Sequence, residues 1–466
     1  MKDKFRSFIQ NIVKDNVSSE GKYLLSYAFE TAKIDRNTII KLFNSTFEHT
    51  FYFDTHWKDY NFIASSPEIE IETNSEVNSP LITSLSNDWK SNFFCNHNEF
   101  SKIKFPLVVG ASKFETENKE GIWTDFKTFN WYVPKIVYLC TNKKFYAIVN
   151  FITNGSELNN LEDKFSERIS LLNINNGLIT KNGFDLSDPV EEDPEDLESW
   201  TIKINSALNE ISQGHISKVV LSRRVEKDLL EQPSIQKIID KLKDDYKECY
   251  IFAYKKNGSV FIGASPEKLL SFNHKNIETD ALAGSIRRGL DDYEDRELEL
   301  NLLGDSKNLR EYGEVVKFVI SAISPFTKKI NHFEKPFIKK LPNIQHLWTP
   351  IKAELETDND IEEIVRRLHP TPAICGTPRE TALKLISEIE DYPRGLFSGI
   401  IGWYNFEIQG EFAVAIRSAL LKNKKLYAFA GCGIVDGSNP KEEFEETKLK
   451  LKPILSIFEN EKIYQS

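Results

Sequence analysis

A lysine stands at the head of an apolar, β-branched run, Lys218-Val219-Val220-Leu221-Ser222-Arg223-Arg224. A lysine so placed either snorkels to water or is held in an enclosed site with a shifted pKa, where it can move a proton. Carboxylates form the second group. Glu311 and Glu314 fall in one helical segment, and Glu442, Glu443, Glu445 and Glu446 in another. Within each, glutamates three apart share a helix face. Brought together, two such faces would chelate a hard cation such as Mg²⁺ through oxygen. Kept apart, they are solvated acidic surfaces.

The remaining candidates suit an anion. Ala283-Gly284-Ser285-Ile286-Arg287-Arg288-Gly289 and Ala430-Gly431-Cys432-Gly433-Ile434-Val435 each follow a strand-like run. Their glycines either bring backbone N–H groups close to an anion or make tight turns. Arg417 lies within Ala413-Val414-Ala415-Ile416-Arg417-Ser418-Ala419, read as one strand, and either pairs with an acid or holds a ligand carboxylate. His346 and His369 are isolated histidines, more often structural than catalytic. Cys432 reads as a small buried residue and not a nucleophile. No nucleophile elbow, phosphate-binding loop or dinucleotide fingerprint is present.

These residues need a large scaffold, and the chain supplies one. Its 466 residues are 40% hydrophobic and 28% charged, as in a folded soluble protein. The formal net charge of -10 argues against nucleic-acid and membrane-surface partners. Five scattered cysteines, with no CxxC pair, argue against a disulfide framework or structural zinc and favour a reducing cytoplasm. The charged first residues are followed by no uninterrupted apolar segment, so neither a signal peptide nor a transmembrane helix is expected.

The chain up to about 185 is strand-rich after a first helix near 5–13. An acidic, proline-bearing stretch over 185–196 reads as a surface linker running into a helix that Gly214 stops. Strands are expected near 217–225, 249–254, 259–263, 276–282, 398–406, 411–420 and 425–430. Helices are expected near 234–244, 293–323, 360–367, 378–389 and 440–458. Strands and helices do not alternate regularly, so the class is α+β. One internal echo stands out, with no fixed period behind it: Phe62-Ile63-Ala64-Ser65-Ser66-Pro67-Glu68 against Phe261-Ile262-Gly263-Ala264-Ser265-Pro266-Glu267.

Taken in order, the motifs resemble the chorismate-utilising enzymes, the family of isochorismate, salicylate, anthranilate and aminodeoxychorismate synthases. The resemblance rests on Lys218–Arg223, Gly263–Glu267, Ala281–Ser285, Lys307–Glu311, Leu368–Gly376, Ala415–Ala419, Ala430–Val435, Ser438–Pro440 and Glu443–Lys450. Before that, it is looser, through Trp123, Phe129 and Pro134. It implies an α+β body of two packed antiparallel sheets with helices outside and the site buried between. Residues 1–190 would add strands to the same body, with 198–458 as the chorismate-binding catalytic region.

The resemblance also implies roles. Glu311 and Glu446 would be Mg²⁺ ligands, supported by Glu314 and Glu443, and the ion would hold the ring carboxylate of chorismate. Gly284 and Ser285 would assist through backbone N–H groups. Arg417 and Gly433 would hold the enolpyruvyl carboxylate, Lys450 would add positive charge, and His346 joins the substrate-facing positions. Lys218 would be the general base for water, a position where ammonia-using relatives carry other residues. Glu267 would protonate the departing ring hydroxyl. Ala373 and Phe397 stand where salicylate synthases carry Thr and Tyr, so the implied product is isochorismate with no loss of pyruvate. No obligatory protein partner is implied. Cys432 and Ser285 depart from the more usual Ala and Thr.

Overall fold

The computed structural model describes residues 2–14, 17–33, 42–43, 48–74, 82–89, 91–96, 103–115, 121–172, 194–357 and 360–458. Most of the acidic linker, 185–193, lies outside the described residues. Among the described residues no helix is long and apolar enough to cross a membrane.

Alternating apolar runs form the strands, and the two faces of each strand enter different cores. In His49–Thr55, Phe51 and Phe53 face one core and Tyr52 another. Tyr250–Lys256 follows the same rule, with Phe252 and Tyr254 on one side and Ile251 and Ala253 on the other. The shared core between the sheets is where much of the chain's phenylalanine goes: Phe51, Phe53, Phe62, Phe252, Phe261 and Phe429 meet there.

Two antiparallel sheets result. In the first, Lys22–Glu30, Lys144–Asn154, the 136–141 half of Phe129–Thr141, the 60–65 half of Tyr60–Thr73, His49–Thr55 and Tyr250–Lys256 pair in succession. Ser259–Ser265, Ser418–Lys422, Lys425–Val435 and Lys218–Asp228 continue it. In the second, Phe129–Thr141 joins Leu107–Ser112, then Ile400–Asn405, Gln409–Val414, Lys268–Asn273, Asn276–Arg287 and Ile344–Leu355. Helices cover the outer faces. Lys2–Lys14, Ile235–Asp245 and Pro440–Phe458 pack on the first sheet. Pro194–Ser212, Ser306–Ile323, Ile361–Leu368 and Arg379–Ile389 pack on the other outer core.

The echoed segments share a structural task. At Ser66-Pro67-Glu68 the chain leaves the first sheet for the second through a register shift, and Ser265-Pro266-Glu267 is the equivalent corner between Ser259–Ser265 and Lys268–Asn273. Their glutamates differ. Glu68 is engaged by Arg168 Nη2 at 2.7 Å and by the Ile152 N–H at 2.6 Å. Among the described residues Glu267 has a hydroxyl, that of Thr371, and no cation at hydrogen-bond distance.

Two expected elements are divided. The helix read over 293–323 is Asp292–Gly304 followed by Ser306–Ile323. Asp305 ends one and caps the other, accepting from the Asn308 N–H at 2.8 Å. The strand read over 411–420 is Gln409–Val414 and Ser418–Lys422, interrupted at Arg417, which has φ 51°. Arginine is uncommon in that left-handed region, and the break again carries the chain from one sheet to the other.

Candidate active site

The corners and the helix break converge on one cavity of about 200 Å³. Glu267, Gly284, Ser285, Glu311, His346, Ala373, Phe397, Arg417, Gly433, Glu443, Glu446 and Lys450, all singled out from the sequence, line it. Two do not. Glu314 is exposed, because a helix turns about 300° over three residues and only its first turn and a half abuts the cavity here. Lys218 stands just behind the lining.

Lys218 shares a strand face with Val220 and Ser222, both of which line the cavity. It is 1% exposed, so it does not snorkel. Its Nζ donates to Glu311 Oε1 at 2.7 Å. Gly433 makes that approach possible: a Cβ there would lie 2.9 Å from Lys218 Cε and 3.4 Å from Glu311 Oε1. Gly433→Ala is therefore expected to displace the pair and lower turnover about tenfold or more, because small misplacements at a reacting centre are costly. A steady-state assay beside a melting curve checks this; unchanged kcat would mean that the pair does not need its present position.

Each carboxylate of the acidic wall faces a lysine: Glu311 with Lys218, Glu446 with Lys450 at 2.5 Å, and Glu443 with Lys307 at 3.7 Å. Burial works to raise Glu311, but Lys218, Lys450 and Lys307 outweigh it, and the carboxyl lies below its ordinary range. Glu443 is raised, by burial and by the charge of Glu446. Glu311, Glu443 and Glu446 line the one cavity and offer only oxygen, the donor type that Mg²⁺ prefers. The thiol of Cys432 is buried and raised well above its usual value by that burial, so it is no nucleophile.

The opposite wall is prepared for an anion and for a proton. Arg417 is buried, its Nη1 has no hydrogen-bond partner, and burial lowers its pKa to about 10, still fully charged near neutrality. His346 is held neutral, well below its ordinary pKa, by burial and by Arg417. Its Nδ1 lies 3.1 Å from the Gly284 carbonyl, which fixes the proton on Nδ1, and leaves Nε2 facing Arg417 Nη2 at 3.4 Å. Gly284 adopts φ 71° at a bulge opposite His346, and the Ser285 N–H already donates to Asn308 Oδ1 at 3.3 Å. A substrate carboxylate would have to compete for that N–H.

Glu267 is pushed up to about 7, first by burial and then by the charge of Asp280. Among the described residues its hydrogen-bonding side-chain partner is the Thr371 hydroxyl, 3.5 Å from Oε1. Phe397 stacks on Phe429 with centroids 5.2 Å apart, so the wall it shares with Ala373 is apolar.

Several contributing residues had no signal in the sequence. Asp280 is buried with Oδ1 unpartnered, 3.9 Å from Lys268 Nζ. Arg394 is buried, pairs with Glu390, and donates to the carbonyls of Ile374 and Val220. It thereby ties the proline-rich loop to the Lys218 strand. The Pro-Arg-Gly triplet at 393–395 could have drawn attention to Arg394; nothing local marks Asp280.

A family model described as "Chorismate binding enzyme" matches residues 8–459. The chain is 33% identical over 371 residues to isochorismate synthase MenF of Bacillus subtilis, covering 77% of this chain and 75% of that one. To the salicylate biosynthesis isochorismate synthase of Pseudomonas aeruginosa it is 39% identical over 252 residues, 54% of this chain and 53% of that one. Among solved structures, the menaquinone-specific isochorismate synthase MenF of Escherichia coli superposes with a TM-score of 0.77 at 21% identity, over 97% of this chain and 99% of that one. The arrangement of two antiparallel sheets is thus that of a known fold, and with the match running from residue 8 to residue 459 the chain belongs to the chorismate binding enzymes.

Proposed function

We propose that the protein is an isochorismate synthase, converting chorismate to isochorismate reversibly by adding water at C2 and losing the C4 hydroxyl. Curated relatives of this activity support the reading, those of Bacillus subtilis and Pseudomonas aeruginosa among them. The observation that carries the chemistry is Glu267, an enclosed carboxyl pushed up to about 7 by its burial, in the same cavity as a buried guanidinium whose Nη1 is unpaired among the described residues.

Glu267 donates its proton to the departing C4 oxygen. Lys218, once its ammonium has passed a proton to solvent and left the ion pair with Glu311, takes a proton from the attacking water as the free amine. Arg417 binds the enolpyruvyl carboxylate, at Gly433, where no side chain obstructs it. Glu311, Glu443 and Glu446 would hold Mg²⁺, which supplies charge neutralisation for the ring carboxylate. Ala373 and Phe397 offer no hydroxyl to that end of the cavity, in keeping with a reaction that stops before pyruvate is expelled. The route served is menaquinone or siderophore synthesis, and the chain works in the cytoplasm without a protein partner.

Incubating purified protein with chorismate and Mg²⁺ and separating the products by HPLC tests this. Isochorismate is expected, approaching the same ratio from either side. Salicylate with pyruvate, or anthranilate formed only when ammonia is added, would overturn it.

A further inference from the structure

A second polar cluster lies away from the cavity, where the Tyr60–Thr73 strand crosses between the sheets. His49 is cross-strand partner to Lys256, Glu70 to Tyr132, and Glu72 to Asn130. One ligand atom from each of His49, Glu70 and Glu72 falls within a common 4.8 Å. None of these residues lines the cavity of the acidic wall.

The cluster is under-satisfied for its burial. His49 is 3% exposed and its Nδ1 has no hydrogen-bond partner among the described residues; Nε2 stands 3.5 Å from Glu70 Oε1, too far for a good bond. The hydroxyls of Tyr132 and Tyr254, both buried, are also unpartnered. Tyr132 packs edge-on to the His49 ring at 5.5 Å, and Tyr254 is close enough to feel the charges of Glu72 and Glu70. Buried polar groups are ordinarily satisfied, and several orphans around one histidine and two carboxylates point to a ligand. Lys256 pairs with Glu72, and Glu70 shares a hydrogen bond with Glu72 while facing the imidazole, so the three proposed ligands already meet around one point. Glu70 is about half exposed and gives an ion a way in from solvent.

We propose that His49, Glu70 and Glu72 form a second metal site that takes a divalent transition ion of the Zn²⁺ class, one imidazole nitrogen and two carboxylate oxygens being completed by water. Imidazole with carboxylates suits Zn²⁺ better than Mg²⁺, whose preference is for oxygen alone. The ring is available as a ligand: burial and Lys256 lower its pKa to about 4, so it is neutral at physiological pH. This site is independent of the reading given for the catalytic cavity.

The test titrates Zn²⁺ into EDTA-stripped, full-length protein by calorimetry, with excess Mg²⁺ present. The wild type is expected to bind one Zn²⁺ that His49→Gln loses and that Glu72→Gln weakens about tenfold or more. Glu446→Gln should keep it. Glu70→Gln, at a half-exposed position, provides the same comparison if a buried substitution disturbs folding, and a Zn²⁺-dependent rise in melting temperature absent from that variant is a second readout. An isotherm shared by wild type, His49→Gln and Glu70→Gln, or one abolished by Glu446→Gln alone, overturns the proposal.

Discussion

Lys218→Ala is expected to lower kcat for chorismate by about 10²–10⁴-fold, the range a positioned general base contributes. Chorismate KM should change far less, since Lys218 stands behind the cavity lining and beneath Gly433, leaving Arg417 to carry the enolpyruvyl carboxylate. The substitution also strips Glu311 of its 2.7 Å ion partner. A partly buried carboxylate that loses its nearest cation and keeps only Lys450 and Lys307 weakens the fold, so circular dichroism and melting belong beside the kinetics. The two roles separate cleanly. A lysine that serves only to hold Glu311 would, when removed, change the Mg²⁺ requirement while kcat at saturating Mg²⁺ stayed within a few-fold. That outcome would take Lys218 out of proton transfer.

The second large effect belongs to Glu267. Glu267→Gln is expected to cost at least about 10²-fold in kcat, because glutamine has no proton to give. As the proposed acid, Glu267 would act in its protonated form, so the rate should fall as pH rises through about 7. Asp280→Asn removes a negative neighbour that helps hold the proton on Glu267. The acid then ionises more readily, and the falling limb moves to lower pH with the maximal rate largely kept. A limb that stays in place in Asp280→Asn would show that Asp280 does not act on the acid. Stability depends on pH through this residue with the same sign. An unfolded glutamate titrates near about 4.3; the folded one titrates near 7. Between those values the native state binds more protons than the unfolded state, so stability falls with rising pH across that window and levels off above it. Above pH 7, Glu267→Gln should therefore melt at a higher temperature than the wild type.

Much of the site was legible because its motifs are local. Lys218 at a strand head and glutamates 443 and 446 on one helix face are set by spacing within a few residues, whereas Glu267 stood out only through the family resemblance of its Ser265-Pro266-Glu267 segment. What escaped depends on distant packing or on a backbone angle. Arg417 reads as a strand residue from its apolar neighbours, and only the φ of 51° reveals a turn between sheets. The break at Asp305 hides inside a helical pattern, although Gly304 and the run Asp305-Ser306-Lys307-Asn308 carry a stop and an N-cap signal. Glu314 shows the converse error, since helical spacing gives a face but not where along that face a cavity ends. Asp280 matters through its proximity to Glu267, thirteen positions away along the chain and joined to it by sheet pairing.

The interleaving of the sheets has a consequence for the order of synthesis. His49–Thr55 pairs with Tyr250–Lys256, and Leu107–Ser112 with Ile400–Asn405. As the chain leaves the ribosome, Leu107–Ser112 soon meets Phe129–Thr141 on one edge, but the partner of its other edge arrives almost 300 residues later. Open edges of that kind template association with other chains, and long-range strand pairing is slow to close. The nascent N-terminal half is thus the aggregation-prone stage of this protein, and its handling by chaperones would govern yield more than any contact in the finished active site.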